Sequence, residues 1–96
     1  MIYSLLGHTF CKRYHIRSFV PVENGEMLMF THNKRANHAI ITGRGPYQVE
    51  FWQLKRYGQY HVKTYADVID LPEVLAKFAR FDNASQETYV TNNNSS

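Results

Sequence analysis

The sequence predicts a small α+β fold: an antiparallel sheet of about five strands with one C-terminal amphipathic helix packed on one face. Three observations support this prediction. A chain of 96 residues can bury a single hydrophobic core. Apolar segments of strand length alternate with glycine-containing turn signals as far as residue 66. Residues 70–81 then change to helical spacing of their apolar side chains.

The domain prediction is one compact α+β unit, residues 1–82, followed by a flexible polar tail, residues 83–96. The chain is 44% hydrophobic and only 20% charged, which is typical of a sequence that folds. After residue 82 the composition turns to Asn, Ser, Thr and Gln. Such a segment has too little apolar surface to offset the entropy of ordering it.

The first hairpin is predicted around the turn sequence Glu-Asn-Gly-Glu at residues 23–26, between apolar segments 16–22 and 27–30. Pro21 has no N–H to donate, and a two-residue Asn-Gly turn would place it at a hydrogen-bonded position. We therefore expect a loop of three or four residues. Both faces of this hairpin are apolar, so one face needs the helix and the other needs further chain or a partner as cover.

The remaining strands are predicted at residues 2–6, 38–42, 47–57 and 60–66, with a turn at residues 43–46. Gly58-Gln59 suits a type II′ turn between the last two strands. That register predicts three facing pairs on one side of the sheet: Trp52 with Tyr65, Leu54 with Lys63, and Arg56 with His61. The other side carries Val49, Phe51 and Val62 and is the expected core side.

The face with Trp52, Leu54, Arg56, His61, Lys63 and Tyr65 is the candidate binding surface. Tyrosine and tryptophan beside cations are typical of protein interfaces and of grooves that bind single-stranded nucleic acid. A helix covering this face would have to bury three cations, which is costly. The alternative is that the helix packs on Trp52 and Tyr65, with Val49, Phe51 and Val62 facing outward.

The helix has the strongest local signals. Asp70 is the expected N-cap, Pro72 lies in the first turn, and Glu73 is placed as a capping-box partner. Ile69 and Val74 are spaced as a hydrophobic staple. The predicted buried stripe consists of Leu71, Val74, Leu75, Phe78 and Phe81.

The charge is unevenly distributed along the chain. Residues 1–63 contain nine basic and three acidic residues, a net charge of +6, whereas residues 64–96 have a net charge of −3. A basic body attracts phosphates or an acidic protein surface.

The sequence contains little that indicates a catalytic site or a metal site. His8, Cys11 and His15 are ligand types that zinc accepts, but a second paired ligand set is missing, and the pattern favours a buried structural cysteine with surface histidines. We expect no metal and no cofactor. The residue types of a metal-independent ribonuclease do occur together, at Arg56, His61, Lys63 and Tyr65.

We therefore expect a non-enzymatic binding protein that acts by protein–protein interaction, as small phage or mobile-element proteins do when they inhibit a host nuclease or defence complex. The alternatives are a basic nucleic-acid-binding module and a small ribonuclease toxin. The expected partner is a host or cognate protein, with weak non-specific nucleic-acid binding and with homodimerisation left open. A single cysteine, Cys11, cannot form an internal disulfide, and there is no apolar run of membrane-spanning length. These features predict a cytoplasmic protein.

Overall fold

The computed structural model describes residues 2–79, which form two short helices, five strands and a third helix. The elements are α1 Ile2–Leu6, α2 His8–Arg13, β1 Ile16–Val22, β2 Gly25–Phe30, β3 His38–Gly43, β4 Tyr47–Lys55 and β5 Gly58–Val68; residues 71–79 form α3. The predicted α+β class is confirmed. The predicted polar tail, residues 83–96, lies outside the described residues. No helix within residues 2–79 has the length and apolar character needed to cross a membrane.

The N-terminal segment differs from the prediction, because residues 2–6 form helix α1 and not a strand. Gly7 separates α1 from α2 with a φ of 90°, a conformation that glycine adopts without strain. The Gly7 N–H donates to the carbonyl of Tyr3 at 2.8 Å, and the Gly7 carbonyl accepts from Cys11 at 3.1 Å. Leu6 and Cys11 are both buried in the core. The first two helices therefore add cover to the sheet that the sequence pattern did not predict.

The five strands form one antiparallel sheet in the order β1-β2-β3-β4-β5. Each strand pairs with its neighbour in sequence, so the connections are local. The β2–β3 connection, residues 31–37, is stabilised by Asn33, whose Oδ1 accepts from the backbone N–H groups of Arg35 at 2.9 Å and Ala36 at 3.1 Å. This is the Asx-type turn that asparagine favours in loops.

Both predicted hairpin turns are shifted along the chain. Val22 pairs with Gly25, so the first loop has two residues and not three or four. Lys55 pairs with Gly58, so the second loop is Arg56-Tyr57 and not Gly58-Gln59. In each hairpin the glycine is the fourth residue of the turn, a position where glycine is common, and begins the next strand.

Helix α3 begins as predicted. Asp70 Oδ1 accepts the Glu73 N–H at 3.2 Å, which confirms Asp70 as the N-cap. Leu71, Leu75 and Phe78 are buried, whereas Phe81 lies outside the described residues. The expected hydrophobic staple is wrong, because Ile69 is 77% exposed.

The core lies between the sheet and the three helices. Phe78 of α3 stacks on Phe51 of β4 with ring centroids 3.8 Å apart and planes 5° apart. The same buried cluster includes Leu6 of α1 and Cys11 of α2. All three helices therefore pack on one side of the sheet, the side that carries Phe51.

Candidate functional site

The side of the sheet opposite the helices carries a surface with an apolar centre, and no element within residues 2–79 covers it. The strand pairing places the following side chains there, and we call this surface the open face: Arg17, Val20, Val22, Met27, Met29, His38, Ile40, Thr42, Gln48, Glu50, Trp52, Leu54, Gln59, His61 and Thr64. Along β3 the two faces alternate clearly, since Ala39 and Ile41 are buried whereas His38 and Ile40 are half-buried. The open face is therefore partly accessible along its whole width.

The structure divides the six predicted binding residues among three locations. Trp52 pairs with His61 and Leu54 pairs with Gln59, so Trp52, Leu54 and His61 lie on the open face. Arg56 lies in the β4–β5 turn. The expectation that all six share one face is therefore wrong.

A β-bulge at Val62 sends the remaining two predicted residues to the helix side. Trp52 pairs with His61, but Phe51 pairs with Lys63, so Val62 is an extra residue in β5. The bulge reverses the alternation after it. Lys63 consequently faces the same side as Phe51, and Tyr65 packs edge-to-face on the Phe51 ring with centroids 5.9 Å apart.

The choice between the two sides of β4 is nevertheless confirmed. Val49 and Phe51 are fully buried beneath the helices, as the sequence analysis expected of the core side. Trp52 and Leu54 are half-buried on the opposite side. The alternative, in which the helix packs on Trp52, is wrong.

The centre of the open face includes three residues that the binding-site prediction left out. Met27, Met29 and Ile40 lie on β2 and β3 beside the β4 residues Trp52 and Leu54. Methionine and tryptophan are enriched at the centres of protein interfaces. The signal for this region was present in the sequence, as the first hairpin is apolar on both of its faces.

Trp52 is held in place by polar neighbours on the same face. Its indole Nε1 donates to Glu50 Oε1 at 2.9 Å, and Gln48 Nε2 donates to Glu50 Oε2 at 2.9 Å. The Trp52 ring also meets the His61 ring edge-on, with centroids 5.3 Å apart. Because both Glu50 oxygens accept these bonds, its carboxylate is engaged within the face.

His38 lies between Met29 and Trp52 in the strand register. Burial lowers the pKa of His38 below its ordinary value because desolvation disfavours the charged imidazolium. His38 is therefore neutral at pH 7, and the middle of the open face carries no positive charge.

Asn37 fixes the end of β4 on which Leu54 stands. Its Nδ2 donates to the Leu54 carbonyl at 2.9 Å, and its Oδ1 accepts the Leu54 N–H at 2.8 Å. The Asn37 side chain thus pairs with the Leu54 N–H and carbonyl as the backbone of a neighbouring strand would. Its backbone N–H also donates to the Trp52 carbonyl at 3.0 Å.

We expect Asn37→Ala to lower the free energy of unfolding by about 1–3 kcal/mol, because it leaves the half-buried Leu54 backbone without both partners. Urea denaturation measures this change. Asn37→Asp keeps the acceptor and should lose less. Gln53→Ala is the control, since the Gln53 side-chain bond within residues 2–79, to the Lys34 carbonyl, is 3.4 Å long and exposed. An Asn37→Ala loss no larger than the Gln53→Ala loss would contradict this role.

The histidines near the N-terminus surround a separate cavity. His8, Cys11, His15 and His32 border it, yet within residues 2–79 no three metal-ligating side chains are placed to hold a metal ion. Cys11 is only 4% exposed, and this burial raises the pKa of its thiol. The thiol therefore stays protonated as part of the core.

The arrangement expected for a ribonuclease is not assembled. Arg56 lies in a turn and His61 on the open face, whereas Lys63 and Tyr65 lie on the helix side. The Lys63 Nζ instead approaches the Tyr65 ring, 5.4 Å from its centroid. These four residues therefore cannot contact one phosphate together.

No protein-family model matches this chain, and no curated protein or solved structure shows significant similarity to it.

Proposed function

We propose that this chain is a small binding protein without catalytic activity that works by protein–protein interaction in a reducing cytoplasm, with the open face as its docking surface. The mode of action we propose is inhibition: it occupies the surface of a host nuclease or defence complex, as a phage or mobile-element protein would. The observation that carries the docking surface is the row of apolar side chains at its centre, Met27, Met29, Ile40, Trp52 and Leu54.

The apolar centre supports a protein partner. Contiguous apolar patches on a small protein mark sites of interaction, and here the patch includes Val20, which is 44% exposed. Trp52 is already oriented by Glu50 at 2.9 Å, so little side-chain entropy remains to be lost when a partner binds. A rigid aromatic anchor of this kind is typical of residues that dominate binding energy.

The charges around the face favour a partner with acidic groups. Arg17 stands at one edge of the face and Arg56 lies in the β4–β5 turn at its end, while the Glu50 carboxylate is engaged by Trp52 and Gln48. We therefore propose that the partner presents apolar side chains ringed by carboxylates. Opposite charges at the rim accelerate encounter and fix orientation.

The size of the face indicates that the partner also touches its rim. Five strands spaced about 4.8 Å apart, with about six residues of 3.4 Å in each, give a surface of roughly 20 by 20 Å. This projected area is about half of the roughly 800 Å² that each partner buries in a standard complex. The rim cations should therefore contribute to binding.

The test replaces two open-face side chains, Met27→Ser with Leu54→Ser. The matched control is Tyr57→Ser with Ile69→Ser, which removes two apolar side chains that are 86% and 77% exposed elsewhere. Both double variants should keep a folded circular dichroism spectrum. We expect the open-face pair to weaken binding about 30-fold or more, and the control pair to leave it unchanged.

Binding is measured on a partner captured from nuclease-treated lysate by the wild-type chain, then purified and titrated directly against all three proteins. Equal affinity for the wild type and the open-face pair would overturn the docking surface. If light scattering shows that the wild type is a dimer and that only the open-face double variant is a monomer, the occupant of the open face is a second copy of this chain. Capture that disappears after nuclease treatment would favour the nucleic-acid alternative, whose affinity should fall about a thousandfold between 50 and 200 mM salt for six phosphate contacts.

A further inference from the structure

The cavity at the N-terminal edge of the sheet is lined mainly by basic and aromatic side chains. It has a volume of about 610 Å³ and lies where α2 meets the start of β1 and the end of β2. Five basic side chains border it: His8, Lys12, His15, Arg17 and His32. Among the described residues, no Asp or Glu lines it. The described lining of the cavity therefore carries positive charge and no opposing carboxylate.

His15 and His32 are brought together by the backbone. His15 has a φ of 59°, a conformation that non-glycine residues seldom adopt and that tends to occur at functional sites. The His15 carbonyl accepts from the Thr31 N–H at 3.0 Å. Because His32 follows Thr31 in the chain, this bond holds the His32 ring beside the His15 ring, with centroids 4.1 Å apart.

Each of the outer imidazoles keeps one ring nitrogen available. His32 Nδ1 is hydrogen-bonded to Thr31 Oγ1 at 2.9 Å, and His8 Nδ1 is hydrogen-bonded to the Tyr3 hydroxyl at 3.0 Å. These bonds fix the ring orientations. Within residues 2–79 the Nε2 atoms of His8 and His32 have no hydrogen-bond partner, so both are available to a ligand.

The charges select an anion. Lys12 supplies a positive charge, and the imidazole rings of His8, His15 and His32 supply N–H groups that can donate hydrogen bonds to anionic oxygens. No carboxylate among the described lining residues competes for these donors.

The volume of the cavity and the aromatic ring of Tyr3 further restrict the class of ligand. A cavity of about 610 Å³ is within the 300–1,000 Å³ typical of small-molecule sites and exceeds what a bare phosphate fills. Tyr3 is 39% exposed, and its ring packs edge-to-face with Phe19, centroids 5.4 Å apart. An exposed aromatic ring can stack a planar base.

We propose that this cavity binds a small phosphate ester that carries a planar ring, of the nucleoside monophosphate class. Lys12 and the histidines contact the phosphate, and Tyr3 contacts the ring. This site is bordered by the N-terminal helices and shares only Arg17 with the open face.

The experiment titrates the full chain with adenosine monophosphate, adenosine and inorganic phosphate by calorimetry at pH 7.5. We expect adenosine monophosphate to bind at least tenfold more tightly than inorganic phosphate, because it also contacts Tyr3. Adenosine without its phosphate should not bind. Amide signals of His15 and His32 should shift on binding in a two-dimensional NMR spectrum.

Two exposed cavity residues provide the variants, Lys12→Gln and His32→Gln, each expected to weaken binding about tenfold. The matched control is Arg44→Gln with Lys55→Gln, which removes two exposed cations outside the cavity and should leave affinity unchanged. An equal loss in the control pair would show non-specific charge attraction and overturn the site. Equal binding of adenosine, no binding of adenosine monophosphate, or tight binding of a single-stranded oligonucleotide without the monophosphate would each overturn it as well.

Discussion

Phe78→Ala is expected to lower the free energy of unfolding by about 3–5 kcal/mol. Phe78 is 1% exposed. The substitution removes its stacked contact with the Phe51 ring, whose centroid is 3.8 Å away. It also removes the contact with the Arg35 guanidinium, which lies 4.6 Å from the Phe78 ring centroid. Small domains are stable by only about 5–15 kcal/mol. The melting temperature should therefore fall by roughly 12 °C or more, at about 4–8 °C per kcal/mol.

Asp70→Ala is the comparison that separates the packing of α3 from its initiation. It removes only the N-cap bond to Glu73, and should cost about 0.5–2 kcal/mol. Both variants are compared by thermal melts at the same pH. If Phe78→Ala proved no more destabilising than Asp70→Ala, α3 would not be part of the core.

Helix α3 was predictable because its signals are local. The Asp70 cap, the proline in the first turn and the spacing of Leu71, Leu75 and Phe78 all lie within nine residues. Each signal reports a backbone or packing requirement of the helix itself. The strand order was predictable for a similar reason, since every connection in the sheet joins sequence neighbours.

The facing pairs of β4 and β5 were not predictable from alternation. His61, Lys63 and Tyr65 are spaced by two, which predicts one shared face. The bulge at Val62 breaks that rule, and no residue type at this position signals it. Of the six residues expected to share one face, only Trp52, Leu54 and His61 therefore do so.

The centre of the open face depends on contacts between strands distant in sequence. Met27, Ile40 and Glu50 are neighbours only because β2, β3 and β4 pair in the observed register. A turn shifted by one residue changes which side chains share a face. The sequence indicated that the first hairpin is apolar on both faces. Which residues lie on each face depends on the register, and this is set by the pairing of Gly25 with Val22.

Gly25→Ala is expected to destabilise the fold by about 3 kcal/mol or more, the upper part of the range for overpacking. A Cβ built on Gly25 would lie 1.8 Å from the Ile41 carbonyl oxygen. That oxygen belongs to the backbone of β3, so no side-chain rotation relieves the clash. The β2 and β3 strands must separate at this end of the sheet, where Gly25 pairs with Thr42.

Gly58→Ala is the matched control, because Gly58 also begins a strand after a two-residue turn. The nearest atom to its added Cβ is the Tyr60 hydroxyl oxygen at 3.8 Å, an ordinary contact with the end of an exposed side chain. Its expected change is within about 0.5 kcal/mol. Urea denaturation of both variants tests the register: if Gly25→Ala were as stable as Gly58→Ala, β2 and β3 could not approach so closely, and the row from Met27 through Ile40 to Glu50 on the open face would not form.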